Sequence, residues 1–138
     1  MAIPIKLDLN WLCGCEITLN ERKVVIFNIY MPVDNTLNED VFLDNFAVLT
    51  SIIEELYTSN FVIMGDWKAN IFANSVSCFG NHLVQLCTDK DNCLSLSSKI
   101  SLPHDSFTFT SHWNTVAWIG HVISSSDFHK CILSIYVH

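Results

Sequence analysis

An amphipathic helix stands between two strand-length apolar segments, and this arrangement limits the fold of the 138-residue chain more than any other feature. The run 23–30 is nearly continuous in apolar and β-branched residues, which predicts a strand buried on both faces. Residues 37–57 repeat apolar side chains every three or four positions, which predicts a helix with one buried face. Residues 61–64 are wholly apolar and predict a short buried strand. Strand, helix and strand in this order predict a layered α/β domain.

Further elements are predicted on both sides of this unit. Residues 11–19 alternate loosely and predict a strand, which a turn at Asn20-Glu21 would join to 23–30 as a hairpin. Thr36 and Glu39 fit a capping box at the start of the helix. The pattern also predicts a helix over 79–90 and strands over 94–97, 107–110, 118–123 and 131–137.

The composition limits the partners that such a chain can have. Fourteen acidic and seven basic residues give a formal net charge of -7. No basic stripe is present, which argues against tight autonomous binding to nucleic acid. Half of the residues are apolar and 15% are charged, which excludes a disordered acidic tail. No signal peptide or membrane-spanning run is found, so we expect an intracellular protein of the nucleus or cytoplasm, not secreted and without a membrane partner.

The six cysteines contain no C-x-x-C pair. Cys13 and Cys15 are two residues apart, which would place both on one face of a strand. A zinc site with one of the six histidines is the alternative, but the standard ligand spacing is absent. We therefore predict no metal-ligating residues, and we interpret the cysteines as reduced thiols that behave as small apolar side chains.

Asp66 is the strongest candidate among the carboxylates for a catalytic or ligand-binding role. It follows the apolar strand 61–64 after Gly65, a residue that allows the chain to turn sharply. A carboxylate at the carboxyl end of a buried strand lies where α/β sheets bind ligands, and it is rigidly held there. The alternative is an aspartate that only turns the chain after a strand, and the residues alone leave both interpretations open.

Four segments carry a resemblance to a known family. They are Gly-Asp-Trp-Lys-Ala-Asn at 65–70, Phe-Asn-Ile-Tyr-Met-Pro at 27–32, Ser-Phe-Thr-Phe at 106–109 and Ala-Trp-Ile-Gly-His-Val-Ile at 117–123. Together and in this order they resemble the endonuclease/exonuclease/phosphatase superfamily, in particular the apurinic-type endonuclease domains of LINE-like (non-LTR) retrotransposons. The resemblance extends from about Cys13 to Tyr136.

The resemblance implies a fold, a reaction and a set of site residues. The fold would be part of a four-layer α/β/β/α sandwich with mixed sheets. The reaction would be Mg²⁺-dependent hydrolysis of a phosphodiester, with DNA as the partner. Asp66 would activate water and Tyr30 would lie beside the phosphate as the catalytic pair. Lys68, Asn70 and His121 would contact the substrate.

The sequence also departs from the family pattern. The early Asn and metal-binding Glu strands and the closing Ser-Asp-His segment are missing, so we expect residues 1–138 to be one domain, the C-terminal portion of a larger one. Lys68 replaces the signature Asn, would repel Mg²⁺ and is able to pair with Asp66, while Gly120 replaces a second Asp. We therefore predict impaired cleavage of DNA. The alternatives are a non-enzymatic interaction remnant that binds a protein partner or self-associates through an exposed apolar edge, and a phosphoesterase acting on small substrates.

Overall fold

The computed structural model describes residues 1–56, 60–71, 76–89, 92–94, 109–110, 112, 116–117 and 119–132. Its strands are β1 (Ala2–Ile5), β2 (Leu12–Leu19), β3 (Arg22–Tyr30), β4 (Phe61–Asp66), β5 (Asn92–Leu94), β6 (Phe109–Thr110), β7 (Val116–Ala117) and β8 (Gly120–Ser125). Its helices are α1 (Glu39–Glu55), α2 (Cys78–Asp89) and α3 (Ser126–His129). None of the helices in these ranges is long and apolar enough to cross a bilayer.

Six of the strands form one mixed sheet in the order β1-β2-β3-β4-β8-β5. Strands β3 and β4 are parallel, and every other neighbouring pair is antiparallel. Helix α1 connects the parallel pair, as a crossover between parallel strands requires. The α/β class is therefore confirmed. The four-layer sandwich stays a prediction, since the described strands outside the sheet are only the short pair β6 and β7.

The predicted hairpin between β2 and β3 is confirmed. Leu19 pairs with Arg22, so the turn consists of Asn20 and Glu21 alone. Both turn residues have left-handed backbone angles, with φ of 48° and 67°. Such angles match the twist of a two-residue hairpin turn. The edge strand β1, which pairs with β2, was not predicted because its four residues carry no clear periodicity.

Helices α1 and α2 pack against one face of the sheet, here called the core face. Val25, Phe27 and Ile29 of β3 point to it in alternation. They share one buried cluster with side chains from β4, β8 and both helices, including Ile63, Ile123, Phe42, Leu49, Phe79 and Leu83. The cluster holds the sheet and helices together through apolar burial, worth about 2 kcal/mol for each large side chain.

The opposite face of the sheet is partly uncovered. Its exposed end carries Cys13, Asn28, Tyr30 and Met64, and with Asp66 these residues define the open face. The prediction that 23–30 is buried on both faces is therefore wrong at Lys23, Asn28 and Tyr30. The amide of Asn28 and the hydroxyl of Tyr30 interrupt the apolar pattern at this end of the strand, and polar groups such as these prefer water.

The start of α1 corrects another prediction. The helix begins at Glu39 with Asn38 as its N-cap, and the side chain of Asn38 makes no capping hydrogen bond. The expected box between Thr36 and Glu39 does not form. Instead the Asn35 Oδ1 accepts hydrogen bonds from the backbone N–H groups of Leu37 and Asn38, both at 3.0 Å. An Asx-type turn therefore precedes the helix, because the Asn35 side chain bonds two backbone amides just before Glu39.

The remaining elements follow the predictions where the structure describes them. The helix expected over 79–90 is α2, except for residue 90, which lies outside the described residues. Strands were expected over 94–97, 107–110 and 118–123. The structure has the end of β5, β6 and most of β8 in these ranges. Residues 95–97, 107–108 and 118 lie outside the described residues. The strand expected over 131–137 is wrong at its start, since residues 131–132 follow α3 in non-strand conformation, and 133–137 lie outside.

Candidate functional site at the ends of β3 and β4

Tyr30 and Asp66 are adjacent residues at the carboxyl ends of the two parallel strands. They are partners in the β3–β4 register, so their side chains leave the same face of the sheet. The backbone N–H of Met31 donates a 2.9 Å hydrogen bond to the carbonyl of Asp66, which fixes this register. Tyr30 is 62% exposed, on the open face. The two residues expected to form the catalytic pair therefore lie side by side.

Gly65 permits this arrangement. Its φ is +137°, a value that side chains rarely allow. A Cβ at this position would lie 2.2 Å from the carbonyl oxygen of Ile29 on the neighbouring strand. The close approach of β3 and β4 directly before Asp66 therefore requires glycine.

Lys68 contacts both members of the pair. Its Nζ forms an ion pair with Asp66 Oδ2, and its backbone N–H donates a 3.2 Å hydrogen bond to Asp66 Oδ1. The same Nζ lies 5.0 Å from the centroid of the Tyr30 ring, within cation–π range. The side chains of Lys68 and Asp66 are 17% and 30% exposed, so the pair is partly desolvated. The pairing considered from the sequence is thus present in the structure.

The ion pair determines what Asp66 can do chemically. A general base needs a carboxylate oxygen within hydrogen-bond reach of the water that it deprotonates. Both oxygens of Asp66 are already bonded to Lys68. The ammonium also balances the negative charge that would attract a cation to this position.

Mg²⁺ does not fit this group of residues. The ion prefers near-octahedral oxygen coordination and is usually held by one or two carboxylates. Among the described contacts around Asp66 there is one carboxylate, and its oxygens face an ammonium and an amide N–H. Gly120 is the cross-strand partner of Asp66 on β8 and contributes no side chain to the same face. We therefore derive no chemical step through a metal ion at this site.

His121 lies on the core face, away from Tyr30 and Asp66. It pairs with Gly65 in the sheet and is 1% exposed. Its Nε2 is 2.5 Å from the carbonyl oxygen of Ala69, and its own carbonyl accepts a 3.1 Å hydrogen bond from Trp67 Nε1. These contacts tie the loop after β4 to β8.

Asn70 is held against the start of α2. Its backbone N–H donates to Ser77 Oγ at 3.0 Å, and its carbonyl accepts from the Ser77 N–H at 2.9 Å. The backbone of Gly80 approaches the same carbonyl so closely that a Cβ would lie 2.1 Å from it. Of the five residues expected in the site, the structure thus brings Tyr30, Asp66 and Lys68 into contact and gives Asn70 and His121 other described partners.

A shallow groove of about 280 Å³ borders Tyr30. It runs between the end of β3 and the first turns of α1, and it is lined by Asn10, Trp11, Tyr30, Met31, Pro32, Val41 and Asn45. The groove offers room for part of a ligand beside the exposed tyrosine ring.

A second polar cluster was missed by the sequence reading. Glu39, Cys78 and His82 bring their side chains together at the first turns of α1 and α2. Hydrogen bonding from the thiol to Glu39, some desolvation and the negative charges of Glu39 and Asp34 raise the pKa of Cys78 above its usual value. The signal in the sequence was Cys-x-x-x-His at 78–82, which begins one residue before the helix predicted over 79–90. A helix that starts at Cys78 places these two ligand-type side chains one turn apart.

Comparison with known proteins identifies the fold. No protein-family model and no curated protein sequence matches the chain. Among solved structures, the endonuclease domain of TRAS1, a telomere-specific non-LTR retrotransposon, matches 91% of this chain with a TM-score of 0.64 and 11% identity. The 3′ phosphatase NExo from Neisseria, bound to a product DNA hairpin, matches 94% with a TM-score of 0.63 and 14% identity. An endonuclease/exonuclease/phosphatase family protein from Leptotrichia buccalis matches 83% with a TM-score of 0.59 and 11% identity.

The chain has the endonuclease/exonuclease/phosphatase fold. The resemblance stated from the sequence motifs is thereby confirmed at the level of the fold. The chain spans about half the length of the structures it matches, with 55%, 61% and 41% of those chains covered in the order given above. Within the endonuclease/exonuclease/phosphatase fold, Asp66 lies at the carboxyl end of a central strand, a usual position for ligand-binding groups in α/β sheets.

Proposed function

We propose that the chain is a portion of a retrotransposon-type DNA endonuclease domain that binds the phosphodiester backbone and cleaves it poorly. The observation that carries the proposal is the contact of Lys68 with both Asp66 and Tyr30. The fold supports a phosphodiesterase ancestry, since the matched structures include an endonuclease domain and a phosphatase bound to DNA.

Lys68 and Tyr30 supply the groups that a phosphate needs. The ammonium of a lysine is a compact positive charge with three N–H donors for phosphate oxygens. The hydroxyl of an exposed tyrosine is able to donate a further hydrogen bond. A phosphate reaching Lys68 would compete with Asp66 for the ammonium. With a net charge of -7 for the whole chain, such binding is weak, and added salt weakens it further.

Poor cleavage follows from the contacts that Lys68 makes with the carboxylate oxygens of Asp66. Loss of a positioned general base typically slows a reaction by about 10²- to 10⁴-fold. Lys68 occupies the oxygens through which Asp66 would activate water, and Gly120 adds no second carboxylate beside it. Mg²⁺ remains the cofactor implied by the sequence resemblance, and the described residues around Asp66 do not favour it.

Nicking of supercoiled plasmid over a range of Mg²⁺ concentrations tests this function. We expect the wild-type chain to nick no faster than the Asp66→Ala variant. The Lys68→Asn variant removes the ammonium from Asp66 Oδ2, so its nicking should exceed that of the wild type and fall again when Asp66→Ala is added. Strong nicking by the wild type that disappears in Asp66→Ala would contradict the impairment.

A second candidate function is self-association without catalysis. The open face exposes Met64 beside Tyr30, where most sheet faces are covered by a packed layer. Sedimentation velocity over a concentration series tests it, with Met64→Glu as the variant and Glu55→Gln on the exposed end of α1 as the control. This candidate requires a wild-type dimer that Met64→Glu dissociates, and a wild-type monomer at every concentration would exclude it.

A further inference from the structure

Three side chains with different ligand atoms meet between the first turns of α1 and α2. A carboxylate oxygen of Glu39, the sulfur of Cys78 and a ring nitrogen of His82 all lie within 4.8 Å of one another. None of the three belongs to the Tyr30, Asp66 and Lys68 group, which lies on the open face of the sheet. The cluster is therefore a separate feature of the molecule.

The spacing of these atoms suits a tetrahedral metal ion. The Cys78 Sγ is 3.2 Å from Glu39 Oε1 and 4.0 Å from His82 Nε2. Ligands around tetrahedral Zn²⁺, with a Zn–S bond near 2.3 Å and Zn–N and Zn–O bonds near 2.1 Å, are about 3.6 Å apart. Both separations from the sulfur differ from this value by about 0.4 Å, a shift that side-chain rotation can supply. The ligand atoms of Glu39 and His82 lie within 4.8 Å of each other.

The core of the protein holds the ligands in place. Phe42 of α1 stacks on Phe79 of α2 with ring centroids 3.8 Å apart, and this contact joins the two helix starts. The same Phe42 ring lies 6.1 Å from the His82 ring. Because Cys78 and His82 are one helical turn apart on α2, their side chains project from the same side of that helix.

The charge around the cluster also favours a cation. Asp34 brings a second carboxylate to the start of α2, where its Oδ2 accepts a 3.3 Å hydrogen bond from the Phe79 N–H. The ion pairs found among the described residues include neither Asp34 nor Glu39. A divalent ion would therefore meet two carboxylates without displacing a described Lys or Arg partner.

We propose that Glu39, Cys78 and His82 form a Zn²⁺ site that links α1 to α2, with a fourth position filled by Asp34 or water. Thiolate, imidazole and carboxylate together are the ligand set of a borderline-soft ion, whereas Mg²⁺ and Ca²⁺ prefer oxygen alone. On binding, a Zn–S bond forms, the S–H bond of Cys78 breaks and its proton passes to solvent. With Asp34 as the fourth ligand the site would be closed, as structural Zn²⁺ sites are, and it would join two helices that the core already packs together.

Titration of the whole chain with Co²⁺, followed by competition with Zn²⁺, tests the site. A cobalt–thiolate bond gives a charge-transfer band in the near ultraviolet, and tetrahedral Co²⁺ gives strong visible bands. We expect both for the wild type at one equivalent, and loss of both on addition of Zn²⁺. Cys78→Ser should abolish the charge-transfer band, while His82→Gln and Glu39→Gln should each weaken binding by at least about tenfold.

Two controls make the result decisive. Cys13→Ser and Cys131→Ser remove exposed thiols elsewhere in the chain and should leave the bands unchanged. Zn²⁺ should also raise the melting temperature of the wild type, and Cys78→Ser, with circular dichroism showing that it is folded, should lose this shift. Bands that persist in Cys78→Ser, bands that depend on Cys13 or Cys131, or a wild type that binds neither ion would each overturn the proposal.

Discussion

Lys68 bonds to both carboxylate oxygens of Asp66, one through its ammonium and the other through its own backbone N–H. The two residues are separated only by Trp67, which is fully buried. The carboxylate at the carboxyl end of β4 is therefore held in a neutralised pair.

Replacing Lys68 by Gln should weaken binding to DNA. The variant keeps a polar, hydrogen-bonding side chain but removes the ammonium, so one phosphate contact is lost. We expect a lower affinity for a fluorescent duplex, and a salt dependence of log affinity that is less steep by about one unit. Lys130→Gln is the control, since Lys130 is an exposed residue paired with Asp127. Equal effects of the two variants would indicate diffuse attraction and no site at Lys68.

Gly65→Ala should strongly destabilise the fold. The new methyl group would meet the Ile29 carbonyl at 2.2 Å, in a backbone conformation that alanine rarely adopts. We expect a loss of about 3 kcal/mol or more in the free energy of unfolding, measured by urea denaturation. Asn28→Ala, at an exposed position of the neighbouring strand, should change it by less than about 1 kcal/mol. A stable Gly65→Ala variant would show that β3 and β4 can separate at this point.

His121→Asn should loosen the loop after β4. The variant removes the contact with the Ala69 carbonyl from a buried site, so we expect a loss of about 1 to 3 kcal/mol in unfolding free energy. Hydrogen exchange at Trp67 and Ala69 should also accelerate. His112→Asn, at an exposed position, is the control. Unchanged stability together with weaker DNA binding would instead support the substrate-contacting role expected from the sequence.

Glu39→Gln should make Cys78 more reactive in metal-free protein. Glu39 raises the pKa of Cys78 through its hydrogen bond and its negative charge. A raised pKa means a smaller thiolate fraction at pH 8, and only the thiolate is alkylated. We expect iodoacetamide to modify Cys78 faster in the variant than in the wild type. The difference between the two rates should be largest below the pKa of the wild-type thiol and should disappear well above it. Cys131, quantified in the same digest, is the internal control, and an unchanged Cys78 rate would refute the role of Glu39.

The sequence predicted the elements whose signals are local. The apolar run before Asp66, the periodicity of α1 and the turn at Asn20-Glu21 each depend on neighbouring residues, and all appear in the structure. The pairing of Lys68 with Asp66 was also predictable, because the two residues are close in sequence.

The features that were missed depend on tertiary contacts. Glu39 and Cys78 are 39 positions apart in the sequence. The periodicity of apolar residues within one helix cannot predict a contact between two helices. The face on which His121 lies is decided by its pairing with Gly65 across the sheet. The exposure of Asn28 depends on which elements cover that face of the sheet. The residue pattern of a single strand carries no information about those elements.

The loop that carries Lys68 is anchored independently of the ion pair. The Trp67 N–H donates to the Ile119 carbonyl, and Ala69 contacts the buried ring of His121. Selection or drift at position 68 would therefore change the charge next to Asp66 without dismantling the scaffold. The charge at this end of the sheet is therefore adjustable at a single position, while the frame around it keeps its shape.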